Sequence, residues 1–294
     1  MSNTLKYILR VIVGVIFLIS ATAKLISIDS FEIYIFGFEI LSLPMAYLAA
    51  RLIIAMEYTL GMLLILNMHS QAIYFLTFLV LAVFTTFLAI LMIAGNKENC
   101  NCFGELVQMT PGQSLVKNII LLVILRLSAG ARSFGIKWKP LWYSLVVAGS
   151  IATVFIVSPP DNWRYESYSR STTLNEEAFK EALEEGLLPE YIMNGDHIVC
   201  FYSMRCQFCR RSAQKIGTMR RMGTFSSAPV TAIIGQGTDL VDPAPFFRET
   251  RLDCNDWHFI PAEKFLRITN GEMPLILILK DGEVTAKYCY RDIH

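Results

Sequence analysis

Five apolar runs fill most of the chain before Pro160, and they constrain its fold more than any other feature. Each has about the length that an α-helix needs to cross a bilayer, which is roughly twenty residues. A spanning segment must satisfy its backbone hydrogen bonds internally, so such runs fold as helices. The predicted spans are Lys6–Ile28, Ala46–Leu66, Gln71–Ala94, Gly112–Ala129 and Leu141–Ser158.

Charge divides the chain of 294 residues into two parts at Pro160. The first part carries 10 Lys and Arg against 6 Asp and Glu, and the second carries 16 against 19. This pattern predicts a membrane domain followed by a soluble domain of ordinary composition. Neither part has a basic patch, so we expect the lipid bilayer as a partner and no nucleic acid.

The first run has an alternative interpretation as a cleaved signal peptide, because Ala21-Thr22-Ala23 resembles a cleavage site. The four runs that follow favour a retained span. Basic residues in cytoplasmic loops set the orientation of such spans. The loop after the fourth span carries Arg132, Lys137 and Lys139, with Arg126 near the end of that span. The loop after the first span carries Asp29, Glu32 and Glu39. We therefore expect a multi-pass protein of the bacterial inner membrane with a cytoplasmic N-terminus and a periplasmic C-terminal domain.

The second part contains a Cys-x-x-Cys sequence, Cys206 to Cys209, between a predicted strand and a predicted helix. The strand is His197–Tyr202 and the helix is 210–222. A thiol at a helix N-terminus is favoured as the thiolate by the helix dipole. Arg205, Arg210 and Arg211 were expected to add positive charge. The alternative is half a zinc site, but no second pair with zinc spacing follows, so we expect redox chemistry and no metal.

A Met-Pro pair, Met273-Pro274, precedes the predicted strands 275–279 and 284–290, which are joined by a hairpin turn. With the cysteine pair, this arrangement resembles the thioredoxin fold over residues 174–294. The resemblance implies that Cys206 is the nucleophile, Cys209 the resolving thiol and Pro274 a cis-proline. The chain departs from thioredoxins at Cys200, where they bury an acid.

Further elements are predicted in the second part. Residues 159–173 are expected to be a linker, and Thr173 to Glu176 a capping box that opens a helix to about Gly186. A strand is predicted at 230–234, and helices at 243–252 and 261–268.

A second cysteine pair, Cys100 and Cys102, follows the third span. A disulfide between them would close a small strained ring, and strained disulfides are oxidising. The alternative is two free or metal-binding thiols. Four motifs resemble the DoxX/MauE family of membrane bundles over about residues 5–130, and this implies a role beside periplasmic thiol chemistry. They are Ser20 to Leu25, Glu57 to Gly61, Cys100 to Gly104, and Ser114 to Asn118.

The predicted fold is therefore a membrane α-helical bundle of about five transmembrane helices, 1–158, followed by an α/β thioredoxin-like domain, 174–294. Lys24, Arg51 and Glu57 lie inside predicted spans, where charged residues are costly and usually functional. Two interpretations remain open. Either these charged residues form a structural ion pair between the first two spans, or Glu57 handles the protons released when a dithiol is oxidised.

The chain has 7 cysteines, an odd number, so at least one is unpaired within the monomer. Cys200 and Cys289 are predicted to be small core residues. Cys254 lies in a polar loop, and we expect it to be exposed as an idle thiol or as a relay partner.

The sequence thus predicts a membrane thiol–disulfide oxidoreductase that acts on extracytoplasmic thiol or disulfide proteins. Cys206 and Cys209 are expected to exchange with Cys100 and Cys102, and a membrane quinone is the expected acceptor. Substrate oxidation is favoured over the import of reductant from the cytosol by thiol exchange, since no cysteine faces the cytoplasm in this topology. Quinol-driven reduction is the alternative direction. The alternative from another class is a non-catalytic anchor or partner-binding bundle that carries a maturation factor for one client.

Overall fold

The computed structural model describes residues 2–68, 71–95, 100–107, 109–130, 139–164, 174–236 and 242–293. The chain forms two compact units, which are Met1–Ile35 with Tyr47–Pro159 and Phe36–Ala46 with Pro160–His294. Residues 165–173 of the predicted linker and the basic residues Arg132 and Lys137 lie outside the described residues.

The first unit is built from helices. They are α1 (Asn3–Ile26), α2 (Ile28–Phe36), α3 (Leu43–Ile65), α4 (Gln71–Ile93), α5 (Pro111–Leu127) and α6 (Lys139–Val157). A short strand, β1 (Cys102–Glu105), precedes α5, and Phe103 forms an antiparallel bridge with Val107.

Within the described residues, four helices are long and apolar enough to cross a membrane: Asn3–Ile26, Leu43–Ile65, Gln71–Ile93 and Pro140–Val157. The remaining predicted span corresponds to α5, which has 17 residues. At 1.5 Å per residue α5 is about 26 Å long, slightly shorter than a hydrocarbon core of roughly 30 Å. Its buried residues Ser114, Asn118, Leu121 and Leu125 recur at helical spacing, so one face of α5 packs into the bundle.

Small residues bring α1 and α3 into close contact. A Cβ atom built on Gly14 would lie 2.8 Å from the carbonyl oxygen of Gly61, and one on Gly61 would lie 2.9 Å from that of Gly14. Backbones that approach this closely are typical of membrane helices that pack through glycine.

The second unit contains a five-stranded sheet in the order β4-β3-β2-β5-β6. Its strands are β2 (Asp196–Tyr202), β3 (Val230–Gln236), β4 (Asp256–Pro261), β5 (Leu275–Lys280) and β6 (Glu283–Tyr288). The strands β2, β3 and β4 are parallel, whereas β5 and β6 are antiparallel neighbours. The helices are α7 (Asp161–Arg164), α8 (Glu176–Glu184), α9 (Gln207–Arg221), α10 (Ala244–Thr250) and α11 (Ala262–Ile268), with a 3-10 turn at Glu190–Met193.

Side chains of β2 alternate between the two faces of the sheet. Val199 and Phe201 belong to the core formed with α8 and α11. Cys200 and Tyr202 therefore face the opposite side, where the Tyr202 ring lies 5.6 Å from the ring of Phe246. Both faces of β2 are buried, as its apolar run predicts.

Most predicted elements of this unit are confirmed within one to three residues, with two exceptions. The predicted cap at Thr173 is wrong, because α8 begins after Asn175, whose Oδ1 accepts a hydrogen bond from the Ala178 N–H at 3.0 Å. The strand β4 was not predicted.

Candidate redox sites

Cys206 follows the C-terminal end of β2 and is the N-cap residue of α9. Its Sγ accepts a hydrogen bond from the backbone N–H of Cys209 at 3.3 Å, so the two cysteines share the first helical turn. Cys206 is partly exposed, whereas Cys209 is fully buried. The geometry leaves one sulfur accessible and shields the other.

The pKa values of the two thiols are shifted in opposite directions. The side chain of Cys209, donating to Cys206, is the largest cause that lowers the pKa of Cys206 to about 6, and the backbone N–H groups of Cys209 and Phe208 add to it. Burial raises the pKa of Cys209 far above that of an ordinary thiol. At neutral pH Cys206 is therefore a thiolate beside a protonated Cys209.

Two of the arginines near the cysteines have contacts with other side chains. Arg210 forms an ion pair with Glu249, and the guanidinium of Arg211 lies 5.8 Å from the centre of the Phe208 ring. The lowered pKa of Cys206 comes from hydrogen bonds, the largest of which is that of the Cys209 side chain.

Pro274 lies at the same end of the sheet as Cys206. The Met273–Pro274 peptide bond is cis, as predicted. Leu275 is paired with Phe201, so Pro274 lies beside the last residue of β2, immediately before the turn that leads to Cys206.

A neutral polar cluster lies behind the cysteines. Cys200, at the position where thioredoxins bury an acid, is fully buried, and burial raises its pKa to about 12. Burial also raises the pKa of Tyr202, which interacts with Cys200, Ser212 and Cys209. The sequence reasoning missed Tyr202 and Ser212, although strand alternation places Tyr202 on the same face as Cys200.

Cys100 and Cys102 are joined by a disulfide, with Cα atoms 5.4 Å apart, and only 1% of each residue is exposed. Cys100 Sγ lies 2.9 Å from the hydroxyl of Ser114, which is in the first turns of α5. The backbone N–H of Cys100 donates to the Met109 carbonyl at 3.1 Å. The carbonyl of Cys102 accepts from the hydroxyl of Ser20 at 2.9 Å. Contacts from α1 and α5 thus hold both ends of the disulfide.

Comparisons with known proteins gave two matches. Residues 2–131 match the family model described as methylamine utilisation protein MauE. The chain is also 26% identical over 303 aligned positions to protein TlpB of Flavobacterium psychrophilum, and the match covers 85% of this chain and 81% of that protein. No solved structure gave a significant match.

The chain is a MauE-like membrane protein with a thioredoxin-like domain. The disulfide of Cys100 and Cys102 lies within the MauE-matched residues, and Cys206 and Cys209 lie in the thioredoxin-like part. The redox roles of these four cysteines remain predictions.

In the MauE-like bundle, Lys24 of α1 forms an ion pair with Glu57 of α3 at 2.6 Å. Lys24 also donates to Ser20 Oγ at 2.8 Å, which connects the pair to the Cys102 carbonyl. The predicted ion pair between the first two spans is therefore confirmed for these two residues. The proton-handling role of Glu57 stays a prediction.

Arg51 belongs to a different cluster. It forms an ion pair with Glu32 and donates to the carbonyl oxygens of Ser158 at 2.8 Å and Pro159 at 2.9 Å. Arg51 therefore ties α3 to α2 and to the end of α6, and takes no part in the Lys24–Glu57 ion pair.

Two further cysteines of the thioredoxin-like domain are Cys254 and Cys289. Cys254 is only partly exposed, with its Sγ 3.1 Å from the Asp256 carbonyl oxygen, and burial raises its pKa to about 11, so the prediction of an exposed thiol is wrong. It precedes β4 at the N-terminal edge of the parallel strands, opposite the edge where Cys206 lies, and this disfavours the relay role. Cys289 follows β6 and is partly exposed, so its predicted core position is also wrong.

Proposed function

We propose that this MauE-like protein is a membrane thiol–disulfide oxidoreductase that oxidises extracytoplasmic dithiol proteins through Cys206 and Cys209. The observation that carries the proposal is that the pKa values of the two thiols are shifted in opposite directions. A low pKa at Cys206 stabilises the reduced form of the pair, and this makes its disulfide more oxidising. The TlpB and MauE matches support a thiol–disulfide role at a general level.

Oxidation of a substrate proceeds in two exchanges. A substrate thiolate attacks Cys206 Sγ, a mixed disulfide forms, and Cys209 leaves and takes up a proton, as its raised pKa favours. The second substrate thiolate then attacks the substrate sulfur that is bound to Cys206. The substrate disulfide is released, and Cys206 leaves as the thiolate.

The pair is reoxidised by Cys100 and Cys102. The Cys206 thiolate opens the membrane disulfide, and Cys209 then loses its proton and closes onto Cys206. Two electrons pass to Cys100 and Cys102, which take one proton from Cys209 and a second from solvent. The two pairs belong to one chain, so each is present at a raised effective concentration for the other. Exchange between the pairs is then intramolecular, with both on the extracytoplasmic side of a bacterial inner membrane.

A membrane quinone is the proposed final acceptor. It takes two electrons and two protons from the reduced Cys100 and Cys102, and their disulfide forms again. Asn118 lies one turn after Ser114 on the buried face of α5, and no described residue is a hydrogen-bond partner of its buried Nδ2. A quinone carbonyl accepts from a donor of this kind.

Turnover of a model dithiol with a soluble quinone tests the proposal on detergent-solubilised full-length protein. We expect activity in the wild type and in a Cys289→Ser control, and its loss in Cys206→Ser and in Cys102→Ser. Equal turnover in the Cys102→Ser variant would favour the anchor interpretation, in which the bundle is not catalytic.

A further inference from the structure

The two sulfurs of the membrane disulfide have different surroundings. Cys100 Sγ lies 2.9 Å from Ser114 Oγ, and Ser114 is fully buried. Because a disulfide sulfur carries no proton, the Ser114 hydroxyl must be the donor. Among the described residues, Cys102 Sγ has no hydrogen bond, and Cys102 is held through its carbonyl oxygen by Ser20 instead. The disulfide is therefore polarised, because Cys100 Sγ accepts a hydrogen bond from Ser114 and Cys102 Sγ accepts none from the described residues.

The position of Ser114 strengthens this asymmetry. Ser114 lies in the first turns of α5, whose N-terminus is closed by a capping box between Thr110 and Gln113. Negative charge is favoured near a helix N-terminus. A thiolate at Cys100 would thus receive a hydrogen bond from Ser114 and the favourable end of the helix dipole together.

We propose that Cys102 is the sulfur attacked by an incoming thiolate, and that Ser114 stabilises Cys100 as the leaving thiolate. The inference deepens the proposed function, and rests on it only in taking the disulfide of Cys100 and Cys102 to be exchangeable. In the step, a bond forms between the incoming sulfur and Cys102 Sγ, and the Cys100–Cys102 bond breaks. The electron pair of that bond goes to Cys100 Sγ, so the incoming thiol is oxidised, Cys100 is reduced, and no further oxidant is required.

The order of events follows from this assignment. Cys100 keeps its contacts with Ser114 and Met109 while Cys102 carries the mixed disulfide. In the reverse step the Cys100 thiolate attacks Cys102 and expels the bound thiol. The geometry thus gives Cys100 the resolving role in the membrane pair, comparable to that of Cys209 in the soluble pair.

The test uses full-length protein carrying Cys206→Ser and Cys209→Ser, so that only the membrane disulfide is assayed. The disulfide is opened with 2-mercaptoethanol, and the reaction is quenched with an alkylating agent. The cysteine that carries the 2-mercaptoethanol adduct is then identified by mass spectrometry of the peptides. We expect the adduct on Cys102 in about tenfold excess over Cys100, since one hydrogen bond to a charged sulfur is worth that factor. Ser114→Ala should bring the ratio close to one, and Ser114→Thr should largely restore it.

Ser128→Ala is the matched control, because Ser128 is a fully buried serine just after the other end of α5. An adduct mainly on Cys100, a ratio that Ser114→Ala leaves unchanged, or a disulfide that resists the thiol in the folded protein would each overturn the inference. None of these results depends on exchange with Cys206, so a failure here is distinguishable from a failure of the proposed relay.

A second readout guards against misfolding of the alanine variant. In a Cys102→Ser background, the pH at half-maximal alkylation rate of Cys100 should rise when Ser114→Ala is added, and should stay the same with Ser128→Ala. An unchanged midpoint in a variant that still melts cooperatively would contradict the role of Ser114.

Discussion

Cys206 and Cys209 differ in reactivity because a buried hydrogen-bond donor, Cys209, acts on a partly exposed acceptor, Cys206. The Cys209 side chain is the largest cause of the lowered pKa of Cys206. Cys209→Ala should therefore raise the pH at half-maximal alkylation of Cys206 from about 6 toward the ordinary thiol range, while Cys254→Ala should not. Alkylation rates measured from pH 5 to 10 check this, and an unmoved midpoint in Cys209→Ala would mean that other groups set the pKa.

Some residues of the sites could be predicted from the sequence, and others could not. Cys206, Cys209 and Pro274 were found because each belongs to a short pattern next to a strand or a helix. The contact of Ser20 with the Cys102 carbonyl joins positions 82 residues apart, which no local pattern reveals. The pairing of Arg210 with Glu249 was also not predicted, because the two residues lie 39 positions apart in the chain.

At the scale of elements, the strand β1 depends on close packing against α1. Gly104 has φ of +59°, and a Cβ there would clash with Ser27 Oγ and lie 2.8 Å from the Ala23 carbonyl oxygen. Gly95 has φ of +74°, and no atom of the described residues lies within 4 Å of a Cβ there, so it is a matched control for backbone strain alone. Gly104→Ala should lower the melting temperature clearly more than Gly95→Ala. Equal melting temperatures would show that β1 does not pack on α1 as described.

The contact between α1 and α3 gives a second prediction at this scale. Gly61→Val places methyl groups against the Gly14 carbonyl, which overpacks the interface and should destabilise the protein by about 1–3 kcal/mol. Among the described residues, no atom lies within 4 Å of the Cβ position of Gly149 in α6, so Gly149→Val should have little effect. Unfolding in detergent measures both variants, and a harmless Gly61→Val would contradict the close contact.

Elements with strong local patterns were predicted well, and those set by the fold were not. The apolar runs of β2 and β5 identified two central strands, because strands buried on both faces are hydrophobic throughout. The strand β4 begins with Asp256, Trp257 and His258 and lies at the sheet edge, so it lacks such a run. Asn175 rather than Thr173 caps α8, since a sequence with several capping residues does not reveal which one the packing selects.

At the scale of the whole molecule, the central claim is that electrons pass between the cysteine pairs of the two units. The MauE-like bundle holds a disulfide within the first unit, and the thioredoxin-like domain holds a reactive thiolate in the second. A protein in which only the soluble pair reacted would not need the membrane cysteines. A variant that removes one of them separates these two cases.

The most direct measurement is the redox state of Cys206 and Cys209 in cells that express Cys100→Ser or Cys102→Ser, read by thiol trapping after acid quenching. Because the proposed oxidase loses its acceptor, the soluble pair should accumulate as the dithiol in both variants and stay as in the wild type in a Cys289→Ser control. Accumulation of the disulfide instead would show that electrons flow outward, as in a reductase. A redox state unchanged in both variants would contradict the relay and leave the bundle as an anchor.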